Sequence, residues 1–93
     1  MSARTDALAA ILHTMPGNDC AIQRGRMLAA MERLGSVTTY EASRYLDCYD
    51  PRPRIHEMRS AGKRIKTVYR EEQTESGVYH RVGVYLLEGR TDE

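Results

Sequence analysis

The chain has no tryptophan and no phenylalanine. Six tyrosines are its whole aromatic complement, so Leu, Ile, Val and five Met must supply the bulk of any core. Only two cysteines are present, Cys20 and Cys48, too few for the disulfide frameworks that hold small secreted domains. No apolar run is long enough to span a membrane and no secretory signal is recognisable, so a reducing cytoplasm is the expected setting. Glycine-rich phosphate loops and nucleophile elbows are missing as well. Cys48 and His56 do not share a metal-ligand spacing. His13, His56 and His80 fall in three separate segments. Neither an enzyme, a metal site nor a cofactor is expected.

What is present is ordinary in total and uneven in distribution. With 93 residues, 41% hydrophobic and 29% charged, the chain is one small globular domain near the lower size limit for a single core. The net charge of +1 implies nothing about partners. Between residues 51 and 70, however, seven Arg and Lys face Glu57 alone, a local excess of +6. Glu71, Glu72 and Glu75 follow immediately. Segregation of this kind, rather than net charge, is what a polyanion recognises.

Periodicity divides the chain into four helices and a hairpin. Thr5 or Asp6 is the expected cap of a first helix, with Leu8, Ile11, Leu12 and Met15 at helical spacing. That stripe serves either the core or a dimer seam. Pro16-Gly17-Asn18 breaks it, which makes residues 1–17 a helix and linker ahead of a domain over 18–88. Asn18 or Asp19 opens a second helix that buries Met27, Ala30, Met31 and Leu34 and stops at Gly35. Ser36 to Thr38 reads as a minimal strand or extended link. Thr38 with Glu41 is a capping box, and the short helix it opens turns Ala42, Tyr45 and Leu46 inward. Asp50 and Pro51 start a fourth helix, and Gly62 ends it. Then the period changes to two: Arg64 to Arg70 and Val78 to Leu87 are strands around a polar turn, and 89–93 is a frayed tail.

The run "RMLAAMERLGSVTTYEASRYLDCYDPRPRIHEMRSAGKRIKT" resembles the small winged helix-turn-helix domains of bacteriophage and prophage proteins. The matching residues are Leu34-Gly35, Thr38 to Ala42, Arg54-Ile55, Met58-Arg59, Gly62, Ile65, and Tyr85 with Leu87, and the resemblance extends over Gln23 to Leu87. It implies an α+β, mainly α, fold: a three-helix core with a C-terminal β-hairpin wing, here preceded by an extra helix. It also implies double-stranded DNA as partner, and a role as a small transcriptional regulator or an excision-type architectural factor. The acidic residues near the wing tip depart from a wing that enters a minor groove.

On a helical wheel, Ile55, Met58 and Gly62 take the core side of the fourth helix. Arg52, His56, Arg59 and Lys63 line one flank, and Arg54 falls on the other. A reader helix places its N-terminal exposed residues nearest the base edges, so Arg52 and His56 are the expected base contacts. Thr38, Thr39, Arg44, Arg54, Arg59, Lys63, Arg64 and Lys66 are the expected phosphate contacts. Structural roles compete with these: Arg54 or Arg59 pairing with Glu57, Glu41 or Asp50, His56 as a solvated surface residue, and the threonines as caps. Tyr69, Tyr79 and Tyr85 are expected to pack the hairpin. One short reader implies a homodimer on a two-fold site. The alternative to DNA is a protein-docking module that binds and inhibits a host complex.

Overall fold

Side-chain caps set the helix starts in a computed structural model, which describes residues 2–88. The expected tail over 89–93 lies outside the described residues. Among them the order is α1 (Ala3–Thr14), α2 (Cys20–Leu34), β1 (Val37–Thr38), α3 (Thr39–Tyr45), α4 (Pro51–Ser60), β2 (Ile65–Gln73) and β3 (Tyr79–Leu87). Asp19 caps α2 by accepting from the Ile22 amide at 2.9 Å. The Thr38–Glu41 capping box of α3 is complete in both directions. The first helix begins earlier than expected. Ser2, not Thr5 or Asp6, is its cap and accepts from the Thr5 amide at 3.0 Å. That leaves Asp6 inside the first turn, where a negative charge suits the helix dipole.

Glycines close two of the helices. Gly35, at φ 87°, ends α2 with its amide donating to the Met31 carbonyl at 3.0 Å. Gly62, at φ 97°, follows the end of α4. There the Lys63 amide reaches the Met58 carbonyl at 2.9 Å and the Gly62 amide reaches that of Arg59 at 3.0 Å. This paired closure is the Schellman motif, which needs a left-handed residue at the glycine position.

The strands form one antiparallel sheet in the order β1-β3-β2. Of the two readings of Ser36 to Thr38, strand or extended link, the strand holds at Val37–Thr38, with Val37 opposite Tyr85 and Thr38 opposite Val84. The hairpin is longer than its sequence pattern implied. β2 runs through Glu71 and Glu72 to Gln73, because Arg81, His80 and Tyr79 stand opposite them on β3. The loop is left to Thr74–Val78, closed by the Thr74 amide on the Val78 carbonyl at 3.0 Å.

Helices and sheet meet over one core. Leu8 and Ile11 of α1 join Met27, Ala30 and Met31 of α2, so the first helix packs inside its own chain. Each such Leu, Ile or Met contributes roughly 1.5–3 kcal/mol by leaving water. Ala42 of α3 and Leu46 just past its end are fully buried as expected, Tyr45 is only half-buried, and Ile55, Met58, Ile65 and Tyr85 complete the floor under α4 and the sheet.

One buried residue is charged. Arg26 is 2% exposed, and no ion pair engages it among the described residues. Its guanidinium donates instead to backbone carbonyls just past two helix ends: Met15 at 2.7 Å and Gly17 after α1, and Leu46 at 3.0 Å after α3. Unpaired carbonyls at a helix C-terminus carry partial negative charge, which a cation satisfies. Arg26 therefore ties α1 and α3 to α2 through groups that would otherwise lack partners.

Candidate nucleic-acid interface

α4 is held by Pro51, Ile55 and Met58, all buried. Its other end is clipped to the sheet. The Arg59 guanidinium donates to the Ile65 carbonyl at 2.8 and 3.0 Å and to the Thr67 hydroxyl at 2.9 Å. β2 is an edge strand, so this carbonyl has no strand partner on that side, and Arg59 supplies one. Arg59 thus braces the fold from an exposed position.

The two flanks of α4 have opposite fates. Arg54 turns toward α2, where its side chain is only 16% exposed. It holds Glu57 bidentately, at 2.8 Å to each oxygen, and reaches Gln23 at 3.2 Å. Arg24 of α2 adds a third bond to Glu57 at 2.7 Å. The two guanidiniums hold the Glu57 carboxyl below its ordinary value, Arg54 first and Arg24 second. A phosphate contact from Arg54 would have to break this network. The structural alternative therefore describes Arg54.

The other flank is open. Arg52, His56, Lys63, Arg64 and Lys66 are all exposed, and of these only Arg52 has an ion-pair partner among the described residues. Its Nε meets Asp50 at 3.1 Å, with the Arg52 side chain still 78% exposed. The Asp50 carboxyl also accepts weakly from the Arg52 amide as the α4 cap, and Arg52 holds it below its ordinary value.

At α3 the threonines separate. Thr38 is 2% exposed, and its hydroxyl accepts from the Glu41 amide at 2.9 Å. It is a cap inside the fold, without the access that a phosphate contact needs. Thr39 is half-buried at the surface. Arg44 is exposed and lies 5.7 Å from the Tyr45 ring centroid.

Glu41 is drawn into a further ion pair that sequence reasoning missed. Arg4 of α1 meets it at 2.6 and 2.9 Å and also donates to the Ser36 carbonyl at 2.8 Å. Burial pushes the Glu41 carboxyl up, but the bonds from Arg4 and Thr38 outweigh it and leave the group below the usual carboxylate range.

A family model described as a winged helix-turn-helix domain matches residues 22–90. The chain belongs to the winged helix-turn-helix family. In its terms α2, α3 and α4 are the three-helix core, α4 stands at the position of a reader helix, and β2–β3 is the wing, while α1 lies ahead of the matched region. The fold is the α+β, mainly helical class that the resemblance implied. No curated protein and no solved structure matches the chain. Among the described residues no group of three or more His, Cys, Asp or Glu is placed to hold a metal ion. None of the described helices is long and apolar enough to cross a membrane.

Proposed function

We propose that this protein binds double-stranded DNA with sequence preference, by laying the exposed flank of its reader helix in the major groove. The observation that supports this reading is the open edge of Arg52, His56 and Lys63, continued past Gly62 by Arg64 and Lys66, on a helix whose opposite side is anchored. Arg52 and His56, in the first turns, are nearest the base edges. A guanidinium there is suited to bond guanine O6 and N7 bidentately. Lys63, Arg64 and Lys66 take phosphates, with Thr39 and Arg44 reaching the backbone from the α3 side. Arg59 contributes chiefly by fixing the angle between α4 and β2.

A binder of this type acts as a small regulator of transcription, or as an architectural factor in DNA rearrangement of the excision type. Either use is served by two copies on a two-fold site in the cytoplasm. The test is selection of preferred duplexes followed by paired substitutions. Arg52→Ala relaxes the preference at one base pair by about 1–3 kcal/mol, whereas Lys63→Ala weakens binding to all sequences alike. Equal effects of the two on every sequence would overturn the assignment of roles.

A second reading is favoured by the far end of the wing. Val78 and Tyr79 are 54% and 62% exposed beside the acidic Glu72 and Glu75, a surface better suited to a protein than to phosphates. Under this reading the module docks on a host protein, and wing substitutions abolish its effect while reader substitutions do not.

A further inference from the structure

β3 covers β2 on one side only, so the other side of β2 is an edge of the sheet. Backbone groups along a strand alternate in direction, and two hydrogen bonds fix the phase here. The Glu88 amide donates to the Arg64 carbonyl at 2.7 Å, and the Thr74 amide to the Val78 carbonyl at 3.0 Å. Both pairs continue the β2–β3 register, so the even-numbered residues of β2 bond to β3. The odd-numbered ones, Ile65 to Gln73, turn their amides and carbonyls outward. Arg59 closes this row at the Ile65 carbonyl. Among the described residues no other group reaches the outward amides and carbonyls of Thr67, Tyr69 and Glu71. A row of this kind, without proline or bulge, is a template for another strand.

The side chains of β2 decide which strand fits. The strand is basic near its start, at Lys66, and acidic near its end, at Glu71 and Glu72. An antiparallel copy of the same strand therefore sets acid against base. Outward groups meet only where odd residues oppose odd ones, so a two-fold axis falls on a residue and not between two. With the axis on Tyr69, Thr67 opposes Glu71 through the backbone, and Lys66 of each copy stands opposite Glu72 of the other. Lys66 and Glu72 form a non-hydrogen-bonded pair, in which side chains approach most closely. Neighbouring registers fail. An axis on Arg70 sets two Arg70 side chains together, and one on Val68 sets Lys66 against Arg70, which is destabilising. An apolar stripe agrees with the Tyr69 axis. Val68, Val82, Val84 and Leu86 lie on the sheet face away from Ile65 and Tyr85, and the two Val68 side chains come to lie diagonally across the seam. The Tyr69 ring, on the opposite face, is fixed by Arg81, whose guanidinium carbon is 4.1 Å from its centroid.

We propose that two copies of this protein pair edge to edge through β2, antiparallel and with the two-fold axis on Tyr69, so that their sheets join into one. The contact is isologous and closes on itself, leaving no free edge at this strand. Charges that would repel an arbitrary strand admit this one and select its register. Glu72 holds Arg70 of its own strand at 2.6 Å, and in the pair it also receives Lys66 of the second copy. Lys66 is then committed to the seam, and the phosphate contacts beyond α4 fall to Lys63 and Arg64.

The pairing does not rest on the DNA-binding reading, and its test contains no DNA. Sedimentation equilibrium of the full chain over a concentration series is expected to show monomer and dimer in exchange. Lys66→Glu and Glu72→Lys each weaken the dimer about tenfold or more, because each change acts at both ends of the seam. The double variant Lys66→Glu with Glu72→Lys restores the wild-type constant, a rescue that a folding defect in either single variant would not give. Glu71→Pro removes an outward amide and leaves the ladder to β3 intact. It is expected to be monomeric with unchanged circular dichroism. A wild type that stays monomeric at every concentration overturns the proposal and leaves the edge to a strand of another protein. A dimer indifferent to both charge reversals and to Glu71→Pro overturns it too, and puts the seam on another face. So does a double variant that stays as weak as the single ones.

Discussion

Replacing Arg26 with methionine keeps most of the side-chain volume and removes every donor. Three carbonyls then lose a charged partner: Leu46 in the interior, and Met15 and Gly17 nearer the surface. An unsatisfied buried carbonyl costs about 1–3 kcal/mol, while one that water can reach costs about 0.5–1.5 kcal/mol. Relief of the cost of burying a cation offsets part of this. The net expectation is a loss of about 3 kcal/mol. A domain of this size has a total stability of roughly 5–14 kcal/mol, so the loss is a large share. It corresponds to a fall in Tm of roughly 12–24 °C at about 4–8 °C per kcal/mol. Urea and thermal unfolding followed by circular dichroism measure it. Hydrogen exchange should show the end of α1 opening first, because the Met15 and Gly17 carbonyls just past it accept from Arg26 and from no other group among the described residues. A change below about 1 kcal/mol would refute the reasoning and mean that water replaces the guanidinium at all three carbonyls.

Other consequences follow from the same packing. Leu8→Ala is expected to cost about 2–5 kcal/mol with no change in oligomeric state by sedimentation, because Leu8 is fully buried in its own chain; dissociation of a dimer instead would make α1 a seam. The Glu41 carboxyl is held below its ordinary 4.5 in the folded state. Its contribution to stability is therefore complete above that value and is lost as pH falls through the folded-state value. Urea midpoints should fall with acid in the wild type and less in Glu41→Gln. Arg4→Ala, whose guanidinium is partly screened by solvent, should cost about 1–2 kcal/mol at neutral pH. Cys48 is fully buried and Cys20 exposed, and burial pushes the Cys48 thiol up. A thiol reagent should label one cysteine in the native protein and two after unfolding.

How much of this was legible in the sequence depended on how far apart the partners lie. Asp50-Pro51, the Thr38–Glu41 box, Gly35 and Gly62 each declare a helix end through neighbours within a few residues, and all four positions carry the expected boundary. The wheel also separated Arg54 from Arg52, His56, Arg59 and Lys63, which is the division between the inward and outward flanks of α4. The wheel could not show which flank meets another helix. Arg54 is turned inward by Gln23, 31 residues away, Arg4 by Glu41, 37 residues away, and Arg26 by the Leu46 carbonyl, 20 residues away. Arg54 also has Glu57 three residues on, but nothing local distinguishes Arg4 or Arg26 from an exposed arginine. The same holds for Arg81, whose place on Tyr69 follows from the hairpin register. The polar run that read as a turn hid that register, because Glu71 to Gln73 pair only through what stands opposite them on β3.

The reading of this molecule as a DNA binder turns on whether its open cationic edge meets phosphate. The measurement is affinity for a generic duplex as a function of salt. An edge contacting about four to six phosphates predicts firm binding at low salt and a log–log slope of about −4 to −5. Absence of binding at low salt, or an affinity indifferent to salt, would contradict it.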